Sequence, residues 1–223
     1  DDISFEGKEG DLIAFLGPNG AGKTTAMRIL TSYMPATSGH AFINGFNTFL
    51  DSFKVRELIG YLPETPPLDL DMTVQSYLKF VAELKGVEKT KIQTRMSKLI
   101  ELCGLKEVKT LLINKLSKGY KQRVGVAQAI IHDPKVVILD EPTVGLDPNQ
   151  VIEIREMIKN LSSEKTVLLS THILFEAELM CKKVIIIDKG KVVVQGPWHE
   201  IRQKYQDKQV ITVKINDCTE DKI

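Results

Sequence analysis

Short apolar runs alternate with longer amphipathic stretches along most of this 223-residue chain. Such alternation is typical of an α/β domain, in which buried and largely parallel strands are separated by helices. Residues 12–16 predict a strand, and a glycine-rich turn then leads into a helix predicted over residues 23–33. Further strands are predicted over residues 41–43, 59–62, 136–139, 167–170 and 184–187.

The pattern changes between about residues 73 and 131, where apolar side chains recur at helical spacing. Val74, Tyr77, Leu78 and Val81 follow the i, i+3, i+4 pattern of a helix with one buried face. The pattern stops before the Asp133-Pro134 dipeptide, which disfavours a continuing helix. This stretch therefore predicts an α-helical subdomain inserted into the α/β domain.

The end of the chain predicts a hairpin followed by an extension. Lys189-Gly190 is a turn dipeptide that joins the strand over residues 184–187 to a second strand over residues 191–195. After Gly196 we expect a short helix and one strand over residues 210–214. Residues 1–200 are therefore assigned to one domain, and residues 201–223 to a C-terminal extension that begins a further segment.

Composition narrows the function classes. The hydrophobic fraction of 43% and the charged fraction of 26% are those of an ordinary globular protein. A net charge of +1 differs from the strongly basic balance of a dedicated nucleic-acid binder, so no nucleic-acid partner is expected. The scattered Cys103, Cys181 and Cys218 form no zinc motif and are expected to be reduced thiols. No apolar run approaches the roughly 18 residues that cross a bilayer, so any membrane role requires a partner.

A phosphate-binding loop follows the first predicted strand. Residues 17–24 fit the pattern G-x-x-x-x-G-K-[ST], in which backbone N–H groups surround phosphate oxygens and the next helix directs its positive end at them. Lys23 is expected to bind the β- and γ-phosphates, and the Thr24 hydroxyl to bind Mg²⁺. The predicted nucleotide-binding residues are Gly17, Pro18, Asn19, Gly20, Ala21, Gly22, Lys23, Thr24 and Thr25.

Two carboxylates follow the apolar strand predicted over residues 136–139. Asp140 and Glu141 are expected at the carboxyl edge of the sheet, where α/β domains bind ligands. Asp140 is the candidate ligand for Mg²⁺, and Glu141 is the candidate general base for the attacking water. The alternative is a strand that simply ends in a charged loop.

Three further segments carry a family resemblance. Residues 116–120, Leu-Ser-Lys-Gly-Tyr, resemble the signature motif of ATP-binding cassette (ABC) proteins, usually written LSGGQ. Residues 145–148, Gly-Leu-Asp-Pro, resemble the D-loop of that family, and residues 170–172, Ser-Thr-His, resemble its switch-histidine loop. The order and spacing of these motifs match the family from about residue 1 to residue 197, which is nearly the whole chain.

The resemblance implies a fold and a mechanism. The fold is a P-loop NTPase core with a mostly parallel sheet, an antiparallel β subdomain and the inserted α-helical subdomain. Two cassettes would pack head to tail with two ATP molecules between them, and a homodimer is expected. One cassette would supply Lys23, Thr24, Asp140, Glu141 and His172, with Glu141, His172 and Lys23 as catalytic residues. The other would supply its signature segment in trans, which consists of Ser117, Lys118, Gly119 and Tyr120, and its D-loop residue Asp147 would link the two sites.

The resemblance also implies a location and partners. We expect an ATP hydrolase on the cytoplasmic face of the cell membrane, attached to a membrane-spanning permease and using ATP and Mg²⁺. Glu64 stands where the family usually has a Gln that ligates Mg²⁺, and Lys118 and Tyr120 replace the usual Gly and Gln of the signature. These variants resemble the cassettes of bacterial ABC-2-type exporters. The proline-rich residues 61–72 are the expected contact with the permease, and the alternative is that their three prolines simply form a rigid connector.

Two alternatives compete with this interpretation. One is a soluble ABC-type ATPase that acts on ribosomes or DNA, and the other is a different P-loop enzyme such as a small-molecule kinase. The family also stacks adenine on an aromatic residue that would lie upstream of Asp1, which predicts that the natural protein begins earlier. Phe5 is instead expected in the core, on a strand with an alternating pattern.

Overall fold

A six-stranded, mostly parallel sheet forms the centre of the protein, for which a computed structural model describes residues 3–205. Its strand order is β4-β5-β6-β1-β7-β8, and a separate two-stranded sheet pairs β2 with β3. The strands are β1 (Leu12–Leu16), β2 (Phe42–Ile43), β3 (Phe46–Asn47), β4 (Ile59–Leu62), β5 (Val136–Asp140), β6 (Thr166–Thr171), β7 (Lys183–Asp188) and β8 (Lys191–Pro197).

The strand order places three functional loops side by side. Strand β1 lies between β6 and β7 and is parallel to both, while β5 is parallel to β6. All five residues of β1 are buried, as expected for a central strand covered on both faces. Because parallel strands end at the same edge of a sheet, the residues that follow β1, β5 and β6 converge there. The α/β fold class is confirmed.

Helices cover both faces of the sheet. They are α1 (Lys23–Leu30), α2 (Ser52–Leu58), α3 (Val74–Leu84), α4 (Lys89–Leu102), α5 (Lys118–Ile130), α6 (Pro148–Ser162), α7 (Leu174–Met180) and α8 (Trp198–Tyr205). Helices α3, α4 and α5 form the insertion between β4 and β5. Their apolar faces continue into the core of the sheet, since Val74, Leu78 and Val124 are fully buried in one cluster with Leu62 and Val137. None of the helices in the described range is long and apolar enough to cross a bilayer.

Two predicted elements differ from the observed ones. Helix α1 ends at Leu30 rather than residue 33, because Ser32 adopts a left-handed conformation with φ of 58°. The strand expected around Phe5 is wrong, since side chains rather than a strand partner bind this segment: Gln195 donates to the Ser4 carbonyl and Lys183 to the Glu6 carbonyl. Phe5 nevertheless packs on the core, with its ring 5.3 Å from that of Phe15.

Three helices, α2, α6 and α7, were not assigned from the sequence. Helix α6 had clear signals, because Asp147 caps its first turn by accepting a hydrogen bond from the Gln150 N–H at 3.0 Å and Pro148 is its first residue. Its buried residues Ile154 and Ile158 also follow helical spacing. The short helices α2 and α7 have seven residues each and give much weaker periodic patterns.

The C-terminal part of the sheet is an antiparallel hairpin, as predicted. Strands β7 and β8 pair antiparallel, and the turn residues Lys189 and Gly190 have φ of 46° and 75°, which suits a tight two-residue hairpin turn. Cys103 and Cys181 are buried free thiols, and burial raises the pKa of each to about 12. Cys218 and the strand predicted over residues 210–214 lie outside the described residues.

Candidate active site

A polar cleft of about 370 Å³ lies at the carboxyl edge of the sheet. The loop after β1 brings the glycine-rich residues to it, the end of β5 brings Glu141, and the end of β6 brings His172. We call it the phosphate cleft. It is lined by Asn19, Gly20, Gly22, Lys23, Thr24, Thr25, Glu64, Glu141, Val144 and His172.

The loop before α1 has a shape that its glycines permit. A Cβ atom on Gly17 would lie 2.4 Å from the Ile187 carbonyl oxygen, so no larger residue fits against β7. Gly20 and Gly22 have φ of 82° and 105°, which side chains disfavour. Gly22 is the N-cap of α1, so the loop ends with the free N–H groups of a helix start facing the cleft. This is a structure suited to binding phosphate.

Lys23 is buried at the base of the cleft and bound to its own loop. Its Nζ atom donates to the carbonyl oxygens of Gly17 at 2.8 Å and Pro18 at 3.2 Å. The same Nζ lies 3.2 Å from Glu141 Oε1, close enough for an ion pair but not aligned as a hydrogen bond. The ammonium group therefore partly neutralises a buried carboxylate.

Glu141 and His172 form a pair across the cleft. Glu141 Oε2 lies 2.9 Å from His172 Nδ1, and the Glu141 N–H donates to the Ser170 carbonyl at 3.0 Å. Glu141 also has a left-handed φ of 50°, which is unfavourable for a residue with a side chain. Backbone strain of this kind persists only where the surroundings enforce it, so the fold holds this carboxylate in place beside the imidazole.

The site has a carboxylate suited to a divalent cation. Asp140 is 1% exposed, and its Oδ1 atom is buried without a hydrogen-bond partner. Burial, followed by the charge of Asp140, raises the pKa of Tyr61 to about 12. Within residues 3–205, no group of three or more His, Cys, Asp or Glu side chains is arranged to hold a metal ion by itself. A metal here would therefore need the Thr24 hydroxyl and phosphate oxygens as ligands besides Asp140, and that donor set fits Mg²⁺.

The signature segment lies outside this cleft. Ser117 is exposed and caps α5, since its hydroxyl accepts a hydrogen bond from the Tyr120 N–H at 3.3 Å. None of residues 117–120 lines the phosphate cleft. The neighbours of this segment come instead from the loop and helix after β5: Lys118 Nζ reaches to within 2.3 Å of where a Cβ on Gly145 would lie, and the Gln150 side chain covers Gly119.

A buried polar cluster that does not line the cleft was not predicted. The Thr143 hydroxyl donates to Glu176 Oε2 at 2.6 Å, and Arg155 Nη2 lies 3.9 Å from Glu176 Oε1. Thr143 and Glu176 are 3% and 4% exposed. The two residues are 33 positions apart, so no local pattern could reveal the contact. The sequence shows two Glu residues, Glu176 and Glu178, among the apolar residues that follow His172, and does not distinguish which of them is buried.

Comparison with known proteins assigns the family. Residues 1–144 match the family model described as ABC transporter. The chain is 39% identical over 218 residues to the ABC transporter ATP-binding protein YxlF of Bacillus subtilis, covering 98% of this chain and 72% of YxlF. It is 36% identical over 206 residues to the bacitracin transport ATP-binding protein BcrA of Bacillus licheniformis, covering 92% of this chain and 66% of BcrA. The chain thus spans about two thirds of the length of these relatives.

Solved structures agree with this assignment. An ATP-binding subunit of an ABC transporter superposes with a TM-score of 0.82 at 30% identity, covering 92% of this chain and 86% of that one. The cassette MJ0796, in a dimeric post-hydrolysis state with ADP and Pi, superposes with a TM-score of 0.79 at 25% identity, covering 88% of this chain and 89% of that one. This chain therefore belongs to the ABC transporter family, as an ATP-binding subunit and ATP hydrolase.

Proposed function

We propose that this chain powers a membrane exporter and that two copies work as a head-to-tail homodimer with ATP held between them. The observation that carries the proposal is the separation of two phosphate-binding features within one chain. Lys23, Glu141 and His172 line the phosphate cleft, whereas Ser117 caps an exposed helix start that does not reach it. A second copy in head-to-tail orientation would place its Ser117 and Gly119 on the γ-phosphate.

The electrostatics of the signature segment favour an anion. No acidic residue lies in the first turn of α5, and Lys118 is its first residue. Cations at the positive end of a helix are unfavourable by roughly 0.3–1 kcal/mol unless an anion lies nearby. The γ-phosphate bound by a partner would supply that anion. Because Lys118 and Gln150 link this helix to the loop that holds Asp147, one chain would present both features together to its partner.

Hydrolysis would use the Lys23–Glu141 and Glu141–His172 contacts already present in the cleft. A γ-phosphate would compete with Glu141 for the Lys23 ammonium group and so free the carboxylate to accept a proton from the attacking water. His172 would hold Glu141 Oε2 in position through the 2.9 Å contact. Thr24 and Asp140, with Glu64 at the cleft wall, would hold Mg²⁺, which neutralises phosphate charge when bound.

A groove between the helical subdomain and the sheet is the proposed contact for the permease. Its volume is about 440 Å³, and its lining includes Pro63 and Pro67 of the expected contact segment. Arg28, Arg56 and Lys85 also line it, and no carboxylate does among the residues described. Burial and the neighbouring Arg56 lower the pKa of Lys85, so an acidic partner would relieve this repulsion. We therefore expect an amphipathic, acidic segment of the permease here, with this chain on the cytoplasmic face of the membrane.

The test uses Glu141→Gln, which removes the general base but preserves the shape of the side chain. Its mass would be measured by light scattering with and without Mg-ATP. We expect a monomer without nucleotide and a dimer with it, since ATP holds the two copies together and is not hydrolysed. The control Lys23→Ala in the same background should stay monomeric. A Glu141→Gln chain that binds ATP but remains a monomer would overturn the homodimer.

A further inference from the structure

The buried carboxylate of Glu176 joins three segments that carry the proposed catalytic residues. Thr143 lies on the loop between Glu141 and Asp147, and its hydroxyl donates to Glu176 at 2.6 Å. Arg155 lies on α6, the helix that Asp147 caps, and its guanidinium approaches the other carboxylate oxygen at 3.9 Å. Glu176 itself lies in the first turn of α7, which begins two residues after His172.

A carboxylate this deeply buried needs compensation. Glu176 is 4% exposed, and an ionised group taken out of water is stable only with hydrogen bonds and an opposite charge. The Thr143 hydroxyl and the Arg155 guanidinium supply these, although the Arg155 Nε atom is buried and without a partner. Removing either partner would leave the charge poorly satisfied and would loosen the contact between the three segments.

The geometry points to a positioning role for Glu176. We propose that the Thr143–Glu176–Arg155 cluster, hereafter the brace, holds Glu141 and His172 at the separation that hydrolysis requires. The two catalytic residues already touch in the cleft at 2.9 Å, and the brace joins the segments that follow each of them, since Thr143 lies two residues after Glu141 and Glu176 four residues after His172. Through Arg155 it also ties this pair to α6 and hence to the Asp147 loop. The inference rests on the catalytic roles proposed for Glu141 and His172.

Two substitutions at Thr143 separate the hydrogen bond from the packing. Thr143→Val preserves the volume of the side chain and removes the hydroxyl, whereas Thr143→Ser keeps the hydroxyl. Since small displacements of reacting groups lower rates steeply, we expect Thr143→Val to lower kcat for ATP hydrolysis about tenfold while KM for ATP changes less than about twofold. Thr143→Ser should restore most of the wild-type kcat. A steady-state phosphate-release assay at 25 °C provides both constants.

If the brace only stabilised the fold, other substitutions that lower stability would lower kcat as well. Ile158→Val, on the same helix as Arg155, removes one buried methyl group outside the brace and serves as a control for lost stability. It should leave kcat unchanged at a temperature well below its unfolding midpoint. Glu176→Gln keeps an oxygen that accepts from the Thr143 hydroxyl but removes the charge that faces Arg155, so it should lower kcat less than Thr143→Val does. Because both substitutions weaken one cluster, the double variant should lose less activity than the product of the two single losses.

The outcomes distinguish this inference from the proposed function. If Thr143→Val hydrolyses ATP at the wild-type rate, or if Ile158→Val lowers kcat equally, the brace has no positioning role. That result would leave the proposed function intact as long as Glu141→Gln abolishes hydrolysis. If Glu141→Gln itself remains active, the assigned base is wrong, and the proposed function fails before the brace is tested.

Discussion

The phosphate cleft is formed by residues of its own chain, whereas the signature segment of that chain, residues 117–120, lies outside it. In the cleft, residues from three strand ends meet: Lys23 contacts Glu141, Glu141 contacts His172, and Asp140, the residue before Glu141, is buried. The parallel sheet does this by itself, because its topology brings distant loops to one edge.

The signature segment is an exposed helix start with a surplus of positive charge. Residues 73–131, which include it, contain twelve Lys or Arg and only four Asp or Glu, although the whole chain has a net charge of +1. The rest of the chain is therefore acidic. A head-to-tail arrangement would bring the basic subdomain of one copy toward the acidic domain of the other. Folding therefore assembles the first region, whereas the proposed homodimer would complete the second.

The largest expected effect comes from substituting one residue in each region and comparing nucleotide binding with hydrolysis. Lys23→Ala should abolish nucleotide binding to the single chain, because it removes the cation at the base of the cleft. Ser117→Arg should leave binding of a fluorescent ATP analogue within about twofold, yet lower hydrolysis by roughly 100-fold or more, since it would block the phosphate contact proposed for the partner copy. Fluorescence titration and a phosphate-release assay measure the two quantities. Loss of binding in Ser117→Arg would mean that the two regions are not independent.

Local motifs explain what the sequence could predict. The phosphate-binding loop and the Asp140-Glu141 pair each combine a buried strand with a few adjacent residues, so the strands that carry them, the α/β fold class and the family were predicted correctly. The register between strands decides which loops become neighbours, and that is not visible locally. The Thr143–Glu176 hydrogen bond and the cover of Gln150 over Gly119 depend on this long-range packing, and neither was predicted.

A left-handed residue and two hydrogen bonds from side chains to the backbone explain the two smaller errors in the predicted elements. Helix α1 ends three residues early because Ser32 is left-handed, although its sequence continues with helix-compatible residues. The expected strand at Phe5 had the correct alternation, and its core contact was predicted correctly. It forms no ladder, because its Ser4 and Glu6 carbonyls accept hydrogen bonds from side chains. Alternation predicts which face is buried but does not specify the hydrogen-bond partners of the backbone.

The next prediction concerns the connection between α5, which begins at the signature segment, and β5, which ends at the phosphate cleft. We call this connection the joint. His132 Nε2 lies 3.0 Å from the Ile59 carbonyl, and its Nδ1 is buried without a partner. Burial, followed by the positive charge of Lys85, lowers the pKa of His132 to about 4. The unfolded chain therefore binds a proton at higher pH than the folded chain, so stability is full above about pH 6.5 and is lost as pH falls toward 4.

Urea unfolding at pH 7.5 and 5.0 tests this joint. His132 should account for a loss of about 1 kcal/mol in the free energy of unfolding between these values, after allowance for its partial exposure to solvent. His132→Gln keeps a donor for the Ile59 carbonyl but cannot be protonated, so this loss should disappear. His199→Gln, on the exposed face of α8, should keep the wild-type pH dependence. If the pH dependence of stability is unchanged in His132→Gln, water reaches the His132 imidazole in the folded chain and its burial does not lower its pKa.

The smallest expected effect concerns an ion-pair clamp at the same joint. Asp133 lies 2.8 Å from Arg95 on α4 and 2.7 Å from Lys165 before β6, so it links the helical subdomain to the sheet. Hydrogen bonds from Arg95 and Lys165 lower the pKa of Asp133 to about 2. Asp133 therefore contributes to the free energy of unfolding above about pH 3.8, and this contribution is lost as pH falls through 2. The side chain is 56% exposed, so solvent and salt weaken these pairs.

Asp133→Asn removes the charge and tolerates the left-handed φ of 62° at this position. At pH 7 and low salt it should lower the free energy of unfolding in urea by about 0.5 kcal/mol, and the difference should shrink in 0.5 M salt as screening weakens the wild-type pairs. Asp71→Asn removes an acidic charge from the exposed loop before α3 and controls for net charge. If Asp133→Asn and Asp71→Asn behave alike, apolar packing alone holds the helical subdomain on the sheet, and its orientation depends on the continuous core rather than on this clamp.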